Sequence, residues 1–266
     1  MKSVLDAIRI LAGNRSILLA TTAVEIEKRH ASSLLGRTWV VLYPILLLSA
    51  YVFTFAFVLG ARLEGMDRMS YLLFVFCGLV PYLGLTEAIN SSCLSIRQNM
   101  QLVRNVMFPV ELLPVRAVLV GLASQVVATE MLIVLSAADL RLSPRVFFLP
   151  LVLLGQILFL WGLAWILSLI AVVLPDIAYF VNLSLTFLIF ISPIGFRADM
   201  VPESLRFVLY LNPLTYLIDG YRKCLFETTG PWTNAIPWPT LLMGIIFFAA
   251  GAMFFERLRD ALLADE

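Results

Sequence analysis

Charged residues are scarce in this sequence. Only 14% of its 266 residues are Asp, Glu, Lys or Arg, against about 25% in an ordinary soluble domain. That is too few to cover the outside of a folded chain, and 61% of the residues are hydrophobic and would need to be hidden from water. The formal net charge of +1 offers no basic surface to nucleic acid. These values exclude a soluble enzyme, a disordered chain and a nucleic-acid binder, and they indicate an integral membrane protein.

The residues that membrane enzymes commonly need are also missing. Histidine occurs once, at His30, in a polar N-terminal stretch where a solvated helix position is the simplest interpretation. Acids in the apolar segments stand singly, so no carboxylate pair is spaced for acid–base catalysis or for magnesium pyrophosphate. No Gly-x-x-x-x-Gly-Lys-[Ser/Thr] loop is present to hold nucleotide phosphates. Any energy for transport is therefore expected to enter from a partner or an ion.

Cysteine usage adds no cofactor. The three cysteines, Cys77, Cys93 and Cys224, lie far apart in the sequence. Their spacing predicts neither a disulfide framework nor a metal site. We therefore expect the chain itself to hold no metal and no other cofactor.

Long continuous apolar runs are what the chain has in abundance. They do not alternate apolar with polar positions, which favours transmembrane helices of about 20 residues over a barrel. Six spans are predicted, at 38–60, 70–92, 110–136, 147–174, 178–196 and 239–256. The expected fold class is an all-α integral membrane protein with six transmembrane helices.

Two segments outside the spans have shorter helical patterns. An amphipathic helix is predicted to start near Ser16 and to lie on the membrane surface, with Glu25 and Arg29 four residues apart on a solvated face. Between the last two spans, the stretches 205–211 and 214–226 are too short to cross about 30 Å of hydrocarbon. They predict re-entrant or interfacial helices that break at Asn212-Pro213, because proline disfavours helix in the residue before it.

Basic residues predict the orientation. Six precede the first span and two follow it: Lys2, Arg9, Arg15, Lys28, Arg29 and Arg37, then Arg62 and Arg68. Because positive charge stays on the cytoplasmic side, the N-terminus is expected in the cytoplasm. With six spans the C-terminus is cytoplasmic too, as is the segment 95–108, whereas 197–238 lies outside.

Three polar features could carry function, and the sequence leaves each open. The segment 97–109 mixes basic, amide and apolar residues over a helical length, so it either docks in a groove of another protein or only connects two spans. Asp176 follows Pro175 in a tight turn, where it is either a helix cap or a gating or partner contact. Glu130 is embedded in the third span and is expected to face the bundle interior or a wet pathway.

Aromatic residues are the other candidates, because their rings can offer sugars a surface to slide on. They lie in the first, fourth and fifth spans: Trp39, Tyr43, Tyr51, Phe55, Trp161, Trp165, Phe180 and Phe187. Trp161 and Trp165 are four residues apart and share one helix face. The alternative is that these rings form an interfacial belt or meet lipid and core.

Short motifs recur in order along nearly the whole chain. They are Ser33 to Trp39 followed by Pro44, Cys77 to Tyr82, Phe108 to Pro114, Pro193, Pro202, Asn212-Pro213-Leu214, Tyr221-Arg222, and Arg257 with Arg259. In this order and spacing, the chain resembles the membrane subunits of ABC exporters that move lipid-linked polysaccharides, of the O-antigen and teichoic-acid type. One departure is Pro175-Asp176, because that family commonly has an Arg-Asp pair between the fourth and fifth spans.

The resemblance implies a homodimer with a channel at its interface and two cytoplasmic ABC ATPase subunits, which bind ATP and Mg. It also implies a lipid-linked glycan substrate, contact with membrane lipid and the bacterial inner membrane as the location. Coupling to the ATPase is implied for the N-terminal helix and the segment after the second span, with the candidates Glu25, Arg29, Arg97, Asn99, Arg104, Asn105 and Phe108. A periplasmic gate is implied between spans five and six, with the candidates Arg197, Asn212, Pro213, Tyr221 and Arg222.

The whole chain, 1–266, is then expected to be one transporter domain. It comprises an interface helix within 1–37, spans one to five within 38–196, the gate segment at 197–238, and span six with its cytoplasmic tail at 239–266. Two alternatives share part of this pattern. One is an ABC exporter of a small amphipathic compound, and the other is a membrane transferase that acts on polyprenyl lipids without any ATPase.

Overall fold

A computed structural model describes residues 2–29, 33–54, 66–101, 109–139, 142–225 and 236–264. Within these ranges the chain is helical and contains no strand. The helices are α1 (Lys2–Gly13), α2 (Arg15–Arg29), α3 (Trp39–Val52), α4 (Arg68–Cys93), α5 (Ser95–Gln98), α6 (Leu112–Ala138), α7 (Leu149–Val173), α8 (Ile177–Ile191), α9 (Arg206–Leu211), α10 (Pro213–Leu225) and α11 (Trp238–Ala264).

Four of these helices are long and apolar enough to cross a membrane. They are α4, α6, α7 with the turn before it, and α11, which confirms four of the six predicted spans. The first and fifth predicted spans correspond to α3 and α8, apolar helices of 14 and 15 residues. Residues 55–60 at the end of the first predicted span lie outside the described residues.

Helices α4 and α6 run antiparallel in close contact. The Ser124 hydroxyl donates to a carboxylate oxygen of Glu87 at 3.2 Å. Gly121 packs directly on the backbone of Ala88, where an added Cβ would come within 2.5 Å of the Ala88 Cα. Glycine at this position lets the two backbones approach more closely than side chains would allow.

Helices α7 and α11 run parallel along a seam of glycines. Gly155 contacts the backbone of Thr240, and Gly162 contacts that of Phe247, where an added Cβ would lie 2.0 Å from the carbonyl oxygen. Beside the seam, the rings of Phe159 and Phe247 pack edge to face with centroids 4.7 Å apart. Because the two helices point the same way, the chain between them must return to the end where it started.

Helix α8 provides this return. The Tyr82 hydroxyl on α4 donates to the Leu185 carbonyl, and the Tyr71 hydroxyl donates to the Gly195 carbonyl, both at 3.2 Å. This order of contacts makes α8 antiparallel to α4. Helix α3 is also antiparallel to α4. Residues near the start of α3 share a cavity with the last turns of α4, and residues near the end of α3 share one with the start of α4.

The loops gather at two ends of the bundle. At the first, called the Asp176 end, Glu111 before α6 is paired with Arg259 on α11, and α1 packs against α11. The α7–α8 turn and the end of α4 lie there too. At the opposite Asn212 end, the Thr240 hydroxyl donates to the Tyr216 carbonyl at 2.7 Å, so α11 begins beside α10. The N-terminal helices and the last turns of α11 therefore share one end.

The two short helices α9 and α10 lie where the sequence predicts the helices 205–211 and 214–226. Between them, Asn212 caps α10, because its side-chain oxygen accepts from the backbone N–H of Leu214 at 2.9 Å. Its amide donates to the Ser192 hydroxyl at 2.7 Å, which ties α10 to the end of α8. Leu217 and Ile218 are fully buried, so α10 is a layer of the core.

The N-terminal segment holds two helices rather than one. Helix α2 begins at Arg15, beside the predicted start, but the sequence pattern misses α1. The Glu25 and Arg29 side chains of α2 remain 45% and 40% exposed, as a solvated face requires. They also face Arg116 and Glu87 at 3.9 and 3.6 Å, because α2 packs on α6. The location of α2 on the membrane surface stays a prediction.

Candidate functional site

A cavity of about 570 Å³ lies between α3, α4 and the end of α8, near the Asn212 end. We call it the tyrosine cavity, and its lining includes Tyr51, Thr54, Tyr71, Phe190 and Phe196. Most of its surface is apolar. The aromatic rings come from α3, α4, the end of α8 and the turn after α8. Such a cavity can hold the C–H faces of a ligand without fixing it tightly.

Two further cavities lie along α4 toward the Asp176 end. The amide cavity, of about 710 Å³, lies between α4, α5 and α8, and its lining includes Asn90, Arg97, Gln98, Asp176, Tyr179 and Asn182. The ion-pair cavity, of about 480 Å³, lies between α2, α3, α4 and α6, and its lining includes Arg29, Trp39, Tyr43, Glu87, Asn90 and Ser124. Because Asn90 lines both and the tyrosine cavity lies farther along α4, concave surface follows α4 along most of its length.

The aromatic candidates on α3 and α8 lie beside these cavities or on open surface. Tyr51 lines the tyrosine cavity and Tyr43 the ion-pair cavity. Phe180 and Phe187 are exposed on α8. Phe55 lies outside the described residues. Sequence reasoning did not name Tyr71 and gave Tyr82 only as the end of a motif. Their hydroxyl contacts, to the backbone of Gly195 after α8 and of Leu185 in α8, are visible only in the fold.

The two tryptophans of α7 lie elsewhere. Trp165 is 1% exposed, packs on Phe248 of α11 with ring centroids 5.2 Å apart, and donates its indole N–H to the Glu111 carbonyl at 3.0 Å. Trp161 is half-buried against the same Phe248. Within the protomer, both rings therefore join α7 to α11, which is the core interpretation that the sequence left open.

Charges connect α2 to two of the long helices. The Arg29 guanidinium lies 3.6 Å from the Glu87 carboxylate, whose side chain is only 13% exposed. Glu87 also accepts the hydrogen bond from Ser124. A second ion pair, of 3.9 Å, joins Glu25 to Arg116 on α6. Because water is largely excluded around Glu87, its attraction to Arg29 is stronger than that of a surface pair.

The candidates in the segment after α4 are only partly described. Arg97 is exposed and lines the amide cavity. Asn99 is half-buried, donates to the Ser95 carbonyl at 2.7 Å and accepts from Arg116 at 3.4 Å. Arg104, Asn105 and Phe108 lie outside the described residues.

Asp176 occupies the position before the first turn of α8. Its side chain makes no capping hydrogen bond to that turn, all of which the structure describes. The carboxylate is instead exposed in the amide cavity, which Arg97 also lines. This geometry favours a contact with something outside α8 over the capping interpretation.

Of the two surroundings predicted for Glu130, the bundle interior is not the one observed in the protomer, and the wet pathway stays a prediction. The Glu130 side chain is exposed and lines an apolar cavity of about 610 Å³ between α6 and α7, beside Val126 and Leu153. The neighbouring polar residue Gln125 is the one that turns inward, where it is 2% exposed. Five positions along α6 therefore separate a buried amide from an outward carboxylate.

Gate candidate Tyr221 belongs to a buried polar network. Gln125 on α6 and Gln156 on α7 exchange two amide hydrogen bonds, of 2.8 and 2.9 Å. Gln125 also donates to the Tyr221 hydroxyl at 2.7 Å, and Thr129 lies 3.3 Å from the same hydroxyl. The network joins α6, α7 and α10 inside an otherwise apolar core, where satisfied polar groups fix one arrangement of the helices.

Gate candidate Arg222 is also buried. Its guanidinium donates to the carbonyls of Pro193 and Ile194 at 2.6 and 2.8 Å and lies 3.4 Å from the centroid of the Phe74 ring. The non-helical turn after α8 exposes those carbonyls, and Arg222 supplies the donors that they lack. Pro213 starts α10, whereas Arg197 is exposed and paired with Asp199 at 3.0 Å.

Helices of this length and apolarity, crossing one bundle in both directions, define a multi-pass membrane protein. Residues 18–226 match the ABC-2 type transporter family, and the chain belongs to that family. It is similar to the O-antigen export system permease protein RfbA of Klebsiella pneumoniae, at 27% identity over 248 residues, which is 91% of this chain and 92% of the relative. It is 26% identical to the RfbA permease of Myxococcus xanthus over 256 residues, covering 95% and 96% of the two chains. The chain is therefore a transmembrane subunit of an ABC exporter.

Proposed function

We propose that this chain forms the channel through which a lipid-linked polysaccharide, of the O-antigen kind, is exported across the bacterial inner membrane. It does so as a homodimer with two copies of a cytoplasmic ATPase that bind ATP and Mg. The observation that carries the proposal is the row of cavities along α4, lined by tyrosines, phenylalanines and amides. The names of the curated relatives support the substrate class.

In this proposal α3 and α8 cross the membrane as the first and fifth of six spans. Both are antiparallel to α4 and extend along most of its length. Because α7 and α11 are parallel, the chain between them must cross the membrane once. The Asp176 end then faces the cytoplasm, since the N-terminal helices and the last turns of α11 lie there. The opposite end, with α9 and α10 as gate helices, faces the periplasm.

The ATPase would contact α1, α2 and the segment that includes Arg97 and Asn99. Closure of the nucleotide-bound dimer would move these elements as rigid bodies. The pairs Arg29–Glu87 and Glu25–Arg116 connect α2 to α4 and α6. A shift of α2 would in this way reach the wall of the proposed channel.

Export by the reconstituted complex tests the proposal. Proteoliposomes with this chain and its ATPase should deliver a lipid-linked glycan to the far side only with ATP. A cysteine at Tyr51, once labelled with a bulky maleimide, should block export because it fills the tyrosine cavity. ATP hydrolysis should continue.

The matched control is a labelled cysteine at Leu154, which is exposed on the outer side of α7. This variant should export normally. Equal inhibition at both positions would contradict a pathway along α4. ATP-driven movement of a small amphipathic dye without any glycan export would support the small-compound exporter instead.

A further inference from the structure

The amide cavity combines polar groups from three parts of the fold. Asn90 comes from α4, Gln98 from α5, and Tyr179 and Asn182 from α8. Asp176, in the turn before α8, completes the set of acceptors. The space is an open groove of about 710 Å³, and its polar lining residues are exposed within the protomer.

Two of these amides stand at positions where a polar side chain is costly. Asn90 and Asn182 fall within the predicted spans 70–92 and 178–196, and an amide in hydrocarbon needs a hydrogen-bond partner. Within the described part of the chain, neither side chain forms one. Ser184 and Thr186 on the same helix do, since their hydroxyls donate to carbonyls of α8 at 2.8 and 3.0 Å. The two amides are therefore available to water or to a ligand.

The charges of the cavity distinguish between ligand classes. Among the described residues of the lining, Arg97 and Asp176 are the charged ones, and their charges balance. Phosphate or pyrophosphate binding calls for an excess of cationic donors. Amides both donate and accept, as hydroxyl groups do, and the exposed ring of Tyr179 can pack on a C–H face. This combination suits a neutral polyol.

We propose that the amide cavity binds a neutral sugar unit of the exported glycan. The assignment rests on the proposed function for the substrate class and extends it. It gives Asn90, Asp176, Tyr179 and Asn182 a recognition role at the Asp176 end of the pathway, separate from the aromatic surface of the tyrosine cavity. It also explains why Asp176 leaves the first turn of α8 uncapped.

Saturation-transfer NMR on the full chain in detergent, without ATPase or ATP, tests the proposal. The probes are the methyl glycosides of glucose, mannose and galactose. At least one should receive saturation from the protein. Asn182→Ala and Tyr179→Ala should each raise its Kd about three- to tenfold, the change expected for one lost hydrogen bond or ring contact.

Ser184→Ala is the matched control, because Ser184 is exposed on α8 but bonded within the helix. It should bind the glycoside like the unaltered chain. Asn182→Ser, which keeps a donor and an acceptor, should retain more affinity than Asn182→Ala. Helical circular dichroism of every variant separates lost binding from lost folding.

Two results would overturn the proposal: equal Kd values for Asn182→Ala and the unaltered chain, or displacement of the glycoside by inorganic pyrophosphate. Glycan export by the same variants keeps the two hypotheses apart. Export by a complex whose permease binds no glycoside would remove the sugar site and leave the proposed function standing. Glycoside binding without ATP-driven export would remove the proposed export function and leave the sugar site standing.

Discussion

At the scale of single residues, the ion pairs of α2 show how the fold gives meaning to isolated charges. Glu87 stands alone in an apolar segment, and Arg29 belongs to a polar helix more than fifty positions earlier. Their contact at 3.6 Å places a cation beside a carboxylate that is largely shielded from water. Removal of either partner leaves the other charge without compensation at a place where compensation matters.

Reversing one of these charges should destabilise the protein and uncouple export. Glu87→Arg or Arg29→Glu alone places like charges together and should cost about 1–3 kcal/mol. That is less than a fully buried pair, because Arg29 remains partly exposed. The double reversal should restore most of the loss. Thermal unfolding in detergent and glycan exported per ATP hydrolysed are the measurements.

Asp6 and Arg9 form the control pair for this exchange. Their contact, at 3.4 Å, lies on the surface of α1 with the Arg9 side chain 83% exposed. Exchanging them should leave thermal unfolding unchanged, because an exposed pair contributes little to stability. If the double reversal at Arg29 and Glu87 were as defective as either single change, direct pairing would not be the reason for their effect.

The sequence identifies several site residues but not their partners. Asp176 stands out because an acid beside proline interrupts an apolar stretch, and the resemblance draws attention to Tyr221 and Arg222. Helical spacing cannot show that Tyr221 meets Gln125 or that Arg222 meets Pro193, because these contacts join segments far apart in the chain. For the same reason the inward position of Trp165 could not be predicted.

At the scale of elements, the contact between α7 and α11 depends on the absence of side chains. Gly155 and Gly162 on α7 are seven residues apart, as are Gly244 and Gly251 on α11, so one edge of each helix is bare. In a membrane, where water does not drive helices together, such close contact and dispersion supply much of the attraction. The seam is therefore intolerant of added volume.

Gly162→Ala should separate the two helices. Its Cβ would lie 2.0 Å from the Phe247 carbonyl oxygen, a backbone atom that cannot move aside. We expect a loss of about 1–3 kcal/mol, as for other overpacked positions. Thermal unfolding in detergent should show a lower Tm.

Gly13→Ala provides the comparison, since nothing lies within 4 Å of a Cβ at that position. Its Tm should match that of the unaltered chain. A Gly162→Ala variant with the same Tm would mean that the seam yields easily and does not limit stability.

At the scale of the whole molecule, α8 leaves one side of the bundle uncovered. Tyr179, Phe180, Leu183, Phe187 and Phe190 are all exposed within the described protomer. In the proposed homodimer this face and α3 turn toward the second copy and the channel between them. Hydropathy predicts that α8 is apolar, but it cannot show which of its faces lacks a neighbour.

Cross-linking through α8 tests this arrangement. Phe187→Cys should give a covalent dimer with a flexible bis-maleimide in native membranes. The three natural cysteines are buried and should react little. Dimer formation is read from gel mobility.

Val134→Cys is the control, because Val134 is similarly exposed but lies on α6. It should remain monomeric under the same treatment. Dimers that form through Val134 and not through Phe187 would place the partner on the opposite side of the bundle.

The overall class of the fold is largely predictable, since hydropathy alone locates α4, α6, α7 and α11. The direction of each helix and the identity of its neighbours are harder to predict. Alternating spans predict that α7 and α11 point the same way, but not that they touch. The glycines that permit this contact are too far apart in the chain to be matched without the structure.

The parallel seam also sets an order for assembly in the bilayer. Neighbouring antiparallel helices can pair as soon as the second is inserted, but α7 must wait until α8, α9, α10 and most of α11 have been synthesised. Until then its glycine edge exposes backbone to lipid, and Trp165 lacks the rings of α11. Helix α11 therefore completes the packing surface of α7, and a chain cut before α11 would leave the glycine edge of α7 without its partner.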